Sequence, residues 1–283
     1  MKAHGDFYFG RSLAHALKRL GHKTRLLAGE HWNHTGADDV ALVLRGRNAP
    51  TKKYGKVLLE WCISFPPKMN TGEYDHVDHF FAASPLLHRR IRRIVPAERV
   101  SVMYQAFDPR LMYPDDVSST NDLVFVGSPR SAVRRPVVSF AAQSGLSTRI
   151  WGPGWEHTDF RALQAGGHVD NNELGQIYRS GQVVLNDHLV VMKRNAIISN
   201  RVFDGLACGR AVLTDTSAGL PEDLAPFIYT YDDETGFKQQ AELALGETEK
   251  LRQERLVFAR HLTTVHSFDQ RALQICDRLE KLN

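Results

Sequence analysis

"ISNRVFDGLACGRAVLTD", Ile198–Asp215, is the stretch on which the fold turns. A Ser-Asn-Arg start, apolar residues at helical spacing and a closing Cys-Gly spell a short helix, and "RAVLTD" behind it spells a buried strand. A helix delivered directly into a strand is one step of a parallel α/β sheet. Upstream the step recurs: strand "DLVFVGS", helix "AVRRPVVSFAAQSG", strand "STRIWGPG", helix "NNELGQIYRSG", strand "VVLND". Downstream, Lys238–His261 and Phe268–Leu282 read as long helices.

A second alternating series lies nearer the N-terminus. "RSLAHALKRLG" is a helix, Lys23–Leu27 a short strand, and "DDVALVLRG", "GKVLLEWCIS" and "DHFFAAS" are strands. "SPLLHRRIRRIV" follows as an amphipathic helix and "RVSVMYQA" as a strand. Between the two series, Phe107–Asp122 ("FDPRLMYPDDVSSTND") has linker composition, rich in Pro, Asp and Ser/Thr. The division expected is 1–114, 115–262 and a returning C-terminal helix over 263–283. Two such domains face a cleft, and ligands of open α/β sheets sit beyond the carboxyl ends of the strands.

The chain has 283 residues, 42% hydrophobic and 24% charged, which is the balance of a globular protein. No run approaches the roughly 18 uninterrupted apolar residues of a bilayer span, and "MKAHGDFYFG" lacks a secretory core, so a cytoplasmic protein is expected. Cys62, Cys208 and Cys276 lie far apart in apolar surroundings, which suggests neither a disulfide framework nor a metal knot. A net charge of +4 suits an enzyme of anionic substrates and a nucleic-acid binder equally.

In the opening stretch Ser199 is placed to cap the helix, leaving other first-turn N–H groups for an anion such as a diphosphate. Asp204 follows one turn later, where a carboxylate accepts from the vicinal hydroxyls of a ribose. On pattern alone Asp204 reads better as a dipole complement paired with Arg201. Gly205 on the same face permits close approach of a ligand or of backbone.

The segment "VVLNDHLVVMKRNAIISNRVFDGLACGRAVLTD", with "VFVGSPRSAVRRPVV", "IWGPGW" and "NNELGQIYRSG" before it, resembles the nucleotide-sugar domain of the spore-maturation-type glycosyltransferases. The fold implied is GT-B: α/β, two Rossmann-like domains about a cleft. The donor implied is a nucleoside diphosphate sugar as co-substrate, with no other cofactor and no metal. In the resemblance Asp204 takes the ribose, and Ser199, Asn200 and Arg201 take the phosphate end. Of the two glutamates, eight residues apart, that better-known retaining GT-B enzymes use, the earlier position here is Ala196. "GSPRSAVRR" offers Ser128, Arg130, Arg134 and Arg135 to the phosphates, since guanidinium groups are permanent cations with paired donors. Lys193 and Arg194 close over the same group. A nucleobase lies near Gly152–Trp155 and meets backbone around His168 and Val169, although both tryptophans read equally as core. Asn186, Asp187 and His188 end a strand and face the cleft. "HGDFYFG" sets Gly5 and Asp6 near the acceptor, with Asp6 either a base or the N-cap of the first helix. Asp6 and His188 are the two candidate catalytic groups.

Two departures from that family stand out. Only "MKAH" precedes Gly5, too few residues for the first strand, so three readings stay open: a truncated start, a rearranged N-terminal sheet that lacks the strand, or another segment in its place. Phe65-Pro66 stands where the family often has His-Pro. Two other clusters carry weaker signals. "EYDHVDHF" (Glu73, Asp75, His76, Asp78, His79) has no standard metal spacing. Arg89, Arg90, Arg92 and Arg93 of "HRRIRRIV" suit a solvated helix face better than a membrane or nucleic acid. The expected activity is sugar transfer; a catalytically idle nucleotide-sugar binder or partner subunit and a basic nucleic-acid binder are the alternatives.

Overall fold

A computed structural model describes residues 5–28, 38–46, 50, 52–68, 72, 74–115, 118–129, 135–215 and 218–282. In chain order the elements are α1 (Gly5–Arg19), β1 (Val40–Arg45), β2 (Val57–Cys62), β3 (His79–Ala82), α2 (Pro85–Ile91), β4 (Val100–Val102) and β5 (Asn121–Val126). There follow α3 (Pro136–Gln143), β6 (Thr148–Trp151), β7 (Gln164–Gly166), α4 (Leu174–Ser180), β8 (Gly181–Asn186), α5 (Val190–Arg194) and α6 (Asn200–Ala207). The last five are β9 (Ala211–Asp215), β10 (Ile228–Tyr231), α7 (Glu234–Leu245), α8 (Glu249–Leu262) and α9 (Phe268–Glu280).

Two wholly parallel sheets result, ordered β1-β2-β3-β4 and β10-β9-β8-β5-β6-β7. The period-2 alternation of β2 explains how the first sheet is covered on both sides. Leu59 and Trp61 face α1 (Phe9, Leu13, Ala16) and α9 (Phe268, Ala272, Ile275). Leu58 and Cys62 face α2 (Leu87, Ile91), and Met192 and Ile197 arrive on that side from the second half of the chain. Glu60 shares this buried face, where Arg45 at 3.3 Å supplies a countercharge. In the second sheet the strand order reverses between β5 and β8, the switch point at which open sheets bind ligands.

The first sheet ends at β1, with no strand on its outer side among the described residues. Lys23–Leu27, expected as a strand, is irregular. Arg25 bonds Asp38 at 2.5 Å, and Leu26 packs beside Gly10 and Leu44, so the segment leans on α1 and β1 through side chains instead of joining the ladder. The helix expected over Lys238–His261 is two helices. Gly246 ends α7, and Thr248 caps α8 by accepting from Leu251 N–H at 3.2 Å. The basic helix is shorter than its sequence pattern and partly committed to the fold. Arg90 donates to Asn195 Oδ1 at 2.6 Å and Ser84 Oγ to Asn195 O at 2.6 Å, tying α2 to the second half, while Arg89, Arg92 and Arg93 are exposed. In "EYDHVDHF", Asp78 takes Leu58 N–H and Lys53, and His79 is buried against Ser101, so these two groups do not converge on one site. Glu73 lies outside the described residues. Among the described residues no helix is long and apolar enough to cross a membrane.

The chain passes between the sheets twice, and the two passages are joined side by side. Phe107 N–H donates to His266 O at 3.3 Å and Phe268 N–H to Phe107 O at 2.9 Å. Arg271, 2% exposed, fastens both passages: Nε to Tyr104 O at 2.7 Å, Nη2 to Gln105 O at 3.3 Å and Nη1 to Val265 O at 3.0 Å. Arg271→Ala strands three carbonyls in a dry crossing and is expected to cost about 2–4 kcal/mol. Urea unfolding measures this, and a loss under about 0.5 kcal/mol contradicts the assignment.

Candidate functional site

The carboxyl ends of β5, β8 and β9 are linked around Asn186, a fully buried side chain. Its Oδ1 accepts from Ser199 Oγ at 2.8 Å and Arg201 Nη1 at 2.7 Å, and its Nδ2 donates to Thr214 Oγ1 at 2.8 Å. The Ser199 hydroxyl, engaged in this way, does not cap α6. That corrects the sequence expectation and enlarges the anion site. The N–H groups of Asn200 and Arg201 have no acceptor among the described residues, and the positive end of the helix dipole is left open.

His188 stands beside this junction with both ring nitrogens engaged. Ser199 N–H donates to Nε2 at 3.1 Å, which fixes the proton on Nδ1, and Nδ1–H meets Asp215 Oδ1 at 2.6 Å. Its side chain is 0% exposed, so the expected base is a buried strut holding the first turn of α6. Burial pushes the Asp215 carboxyl up, but hydrogen bonds and charge from His188, with Lys193 at 3.4 Å, hold it below the ordinary range.

Asp204, one turn into α6, is 4% exposed. Its Oδ2 accepts from Asn200 Nδ2 at 3.0 Å, while Oδ1 has no partner among the described residues and is not sealed from solvent. Loss of hydration raises its pKa well above 3.8 against the attraction of Arg201, and the charge of Asp108 adds to the rise. Asp204 is therefore no simple ion-pair partner of Arg201. That guanidinium is held by Asn186, by Val126 O at 2.7 Å, and by the Phe125 ring, 4.8 Å from its centroid. Arg135 covers the same ring at 5.0 Å, donates to Ser128 O at 2.9 Å and pairs with Asp187. The two arginines thus sandwich Phe125 and brace the mouth of the sheet.

The base-side expectations divide. Trp155 is core: 1% exposed, with its indole N–H on Gly127 O at 2.7 Å and its ring edge-on to Phe125 and Phe160. Gly152 is a packing glycine as well. Its φ is +144°, and a Cβ there would lie 2.4 Å from Gly127 O. Gly205 admits neighbouring side chains, not backbone or ligand: a Cβ there would lie 2.8 Å from Val212 Cγ2 and 3.1 Å from Val184 Cβ, so its absence lets α6 settle on these two valines. His168 is exposed, Val169 half-buried, Ser128 exposed and Lys193 exposed, all on loops or helix ends at the strands' carboxyl edge. Arg130 and Arg134 lie outside the described residues. Asp6 occupies the first turn of α1, so it is not the N-cap, and its carboxylate abuts Gly46 beyond β1.

Sequence reasoning passed over the far wall of the cleft. Tyr8, Arg11 and His15 share a face of α1 turned away from Phe9, Leu13 and Ala16, with the buried Ser12 at its edge. Tyr8 OH meets His168 Nε2 at 3.4 Å, Ser12 bonds Asp108, and His15 Nδ1 meets Arg110 Nη2 at 2.8 Å. The signal was present as a second, polar helical stripe.

Residues 130–277, more than half of the chain, match the glycosyl transferase-like family, and the protein belongs to it. No curated protein matches the chain. Three solved structures share the fold. AviGT4, a glycosyltransferase involved in avilamycin A biosynthesis, superposes with TM-score 0.61 at 16% identity, covering 99% of this chain and 90% of its own. Anabaena Alr3699/HepE in complex with UDP-glucose gives 0.59 at 14%, over 80% and 72%. A chain from the Streptococcus pneumoniae accessory secretory protein 1, 2 and 3 structure gives 0.53 at 11%, over 97% and 57%. The architecture is GT-B.

The Asp204 environment has a sign that can be tested. An acid whose folded pKa is raised stabilises the fold below its ordinary value of 3.8, and that contribution is lost as pH rises through the folded value. At pH 7 Asp204→Asn is expected to be more stable than the parent by about 0.5–2 kcal/mol, the gap closing as pH falls toward the ordinary value. Thermal unfolding between pH 5 and pH 8 reads this as a difference that grows with pH, and a less stable Asn variant at pH 7 contradicts it.

Proposed function

We propose that the protein transfers a sugar from a nucleoside diphosphate sugar to an acceptor hydroxyl or similar nucleophile, without a metal ion, as a relative of the spore-maturation-type enzymes. One observation carries this reading. The uncapped tip of α6 presents two open N–H groups, and a carboxyl with one free oxygen follows one turn later. A diphosphate suits the tip and a ribose diol suits Asp204. As the donor bond breaks, negative charge builds on the departing phosphate, and fixed N–H dipoles stabilise it without reorganising. Positive charge from a helix terminus and from guanidinium groups fills the part a divalent ion plays elsewhere. Asp6 remains the candidate base at the carboxyl end of β1. Kinship with retaining GT-B enzymes favours retention at the anomeric carbon.

The test is calorimetric titration of the full chain with UDP, GDP, ADP, CDP and dTDP. One diphosphate is expected to bind, and Asp204→Ala to weaken it about tenfold or more. Equal affinity in the variant, or no binding by the parent, overturns the reading.

A nucleotide-sugar binder without turnover is the second reading. The lack of a strand outside β1 among the described residues, the engaged ring of His188 and the fold likeness to an accessory secretory protein favour it. Binding of a sugar nucleotide that is neither hydrolysed nor transferred would select it.

A further inference from the structure

We infer that Arg11 is the N-terminal half's own ligand for the donor diphosphate, a guanidinium carried on α1 to the opposite side of the cleft; this rests on the proposed donor site. The first argument is position. On α1, Arg11 is flanked by two contacts that lead to the donor side. At one flank Tyr8 OH meets His168 Nε2 at 3.4 Å, on the loop after β7. At the other, Ser12 bonds Asp108, whose charge is close enough to raise the Asp204 carboxyl. Arg11 follows Tyr8 by three residues on the face of α1 turned away from Phe9 and Leu13, and the inference is that its side chain reaches from there toward the tip of α6.

The second argument is availability. Three described arginines near the junction have protein acceptors: Arg110 has Asp108, Arg135 has Asp187, and Arg201 has Asn186 and Val126 O. Arg11 has no hydrogen bond or ion pair among the described residues, and its guanidinium carbon sits 4.9 Å over the Tyr8 ring. Stacking on an aromatic face fixes the plane of a guanidinium while leaving its N–H edges free, which suits a forked contact to phosphate oxygens.

The third argument is charge balance. Asp108 and Asp204 already place carboxyl groups near the α6 tip, and a diphosphate adds more negative charge to the same space. Arg135 and Arg201 are held to the scaffold, and Arg11 adds a cation from the far wall. Tyr8 then serves as the positioning residue that holds the guanidinium, with His168 holding Tyr8.

The experiment compares the parent with Arg11→Ala and Arg11→Lys, using whichever of UDP, GDP, ADP, CDP and dTDP the parent binds most tightly. The matching nucleoside, which lacks phosphate, is measured by competition. Arg11→Ala is expected to weaken the diphosphate about tenfold or more and to leave the nucleoside unchanged, with Arg11→Lys in between. The unliganded Tm of Arg11→Ala should match the parent, because no hydrogen bond is lost. Parental affinity for the diphosphate in Arg11→Ala overturns the assignment while leaving the donor site standing. Equal weakening of diphosphate and nucleoside also overturns it, since the residue would then act only through Tyr8. A parent that binds none of the five removes the donor site and this inference together.

Discussion

The cleft depends on one buried amide. Asn186, at the end of β8, uses its oxygen to hold Ser199 and Arg201 and its nitrogen to hold Thr214, so the end of the sheet and the start of α6 are a single rigid unit. The geometry has a chemical consequence. Because the Ser199 hydroxyl donates inward, it does not accept from the helix, and α6 begins without the side-chain cap that its sequence suggests. An uncapped helix start is unfavourable in an empty protein and favourable for an incoming anion. His188 and Asp215 reinforce the arrangement by fixing the Ser199 amide, at the cost of any free nitrogen on the imidazole.

The same trade appears at Asp204. A carboxyl kept nearly dry, with one oxygen on Asn200 and the other unpartnered, opposes stability at neutral pH, and a bound diol would satisfy the free oxygen. Arg135 and Arg201 bind the scaffold and stack on Phe125, whereas Arg11 makes no hydrogen bond among the described residues. Between the two sheets, the paired passages at Phe107 and Phe268, fastened by Arg271, keep the walls of the cleft in register.

Much of this was legible in the sequence because it rests on periodicity. The strand and helix steps from Leu123 to Asp215 follow from patterns of apolar residues. What periodicity does not encode is the direction of a polar side chain. Ser199 has the composition of a cap and the geometry of a strut; His188 ends a strand as a catalytic histidine would, yet both nitrogens are bonded. Trp155 and Gly152 carry a base-binding pattern, and close packing on Gly127 accounts for both. Lys23–Leu27 follows a helix and its Gly21 cap as a strand would, but a ladder partner is a property of the fold and not of the segment.

The central claim is that an anion closes the open first turn of α6. The direct measurement is the 15N–1H spectrum of the labelled chain during titration with the nucleoside diphosphate it binds. The Asn200 and Arg201 amides should shift further than those of the helices on the outer face, because phosphate oxygens become their acceptors. Saturating nucleotide with those two resonances unmoved would contradict the account.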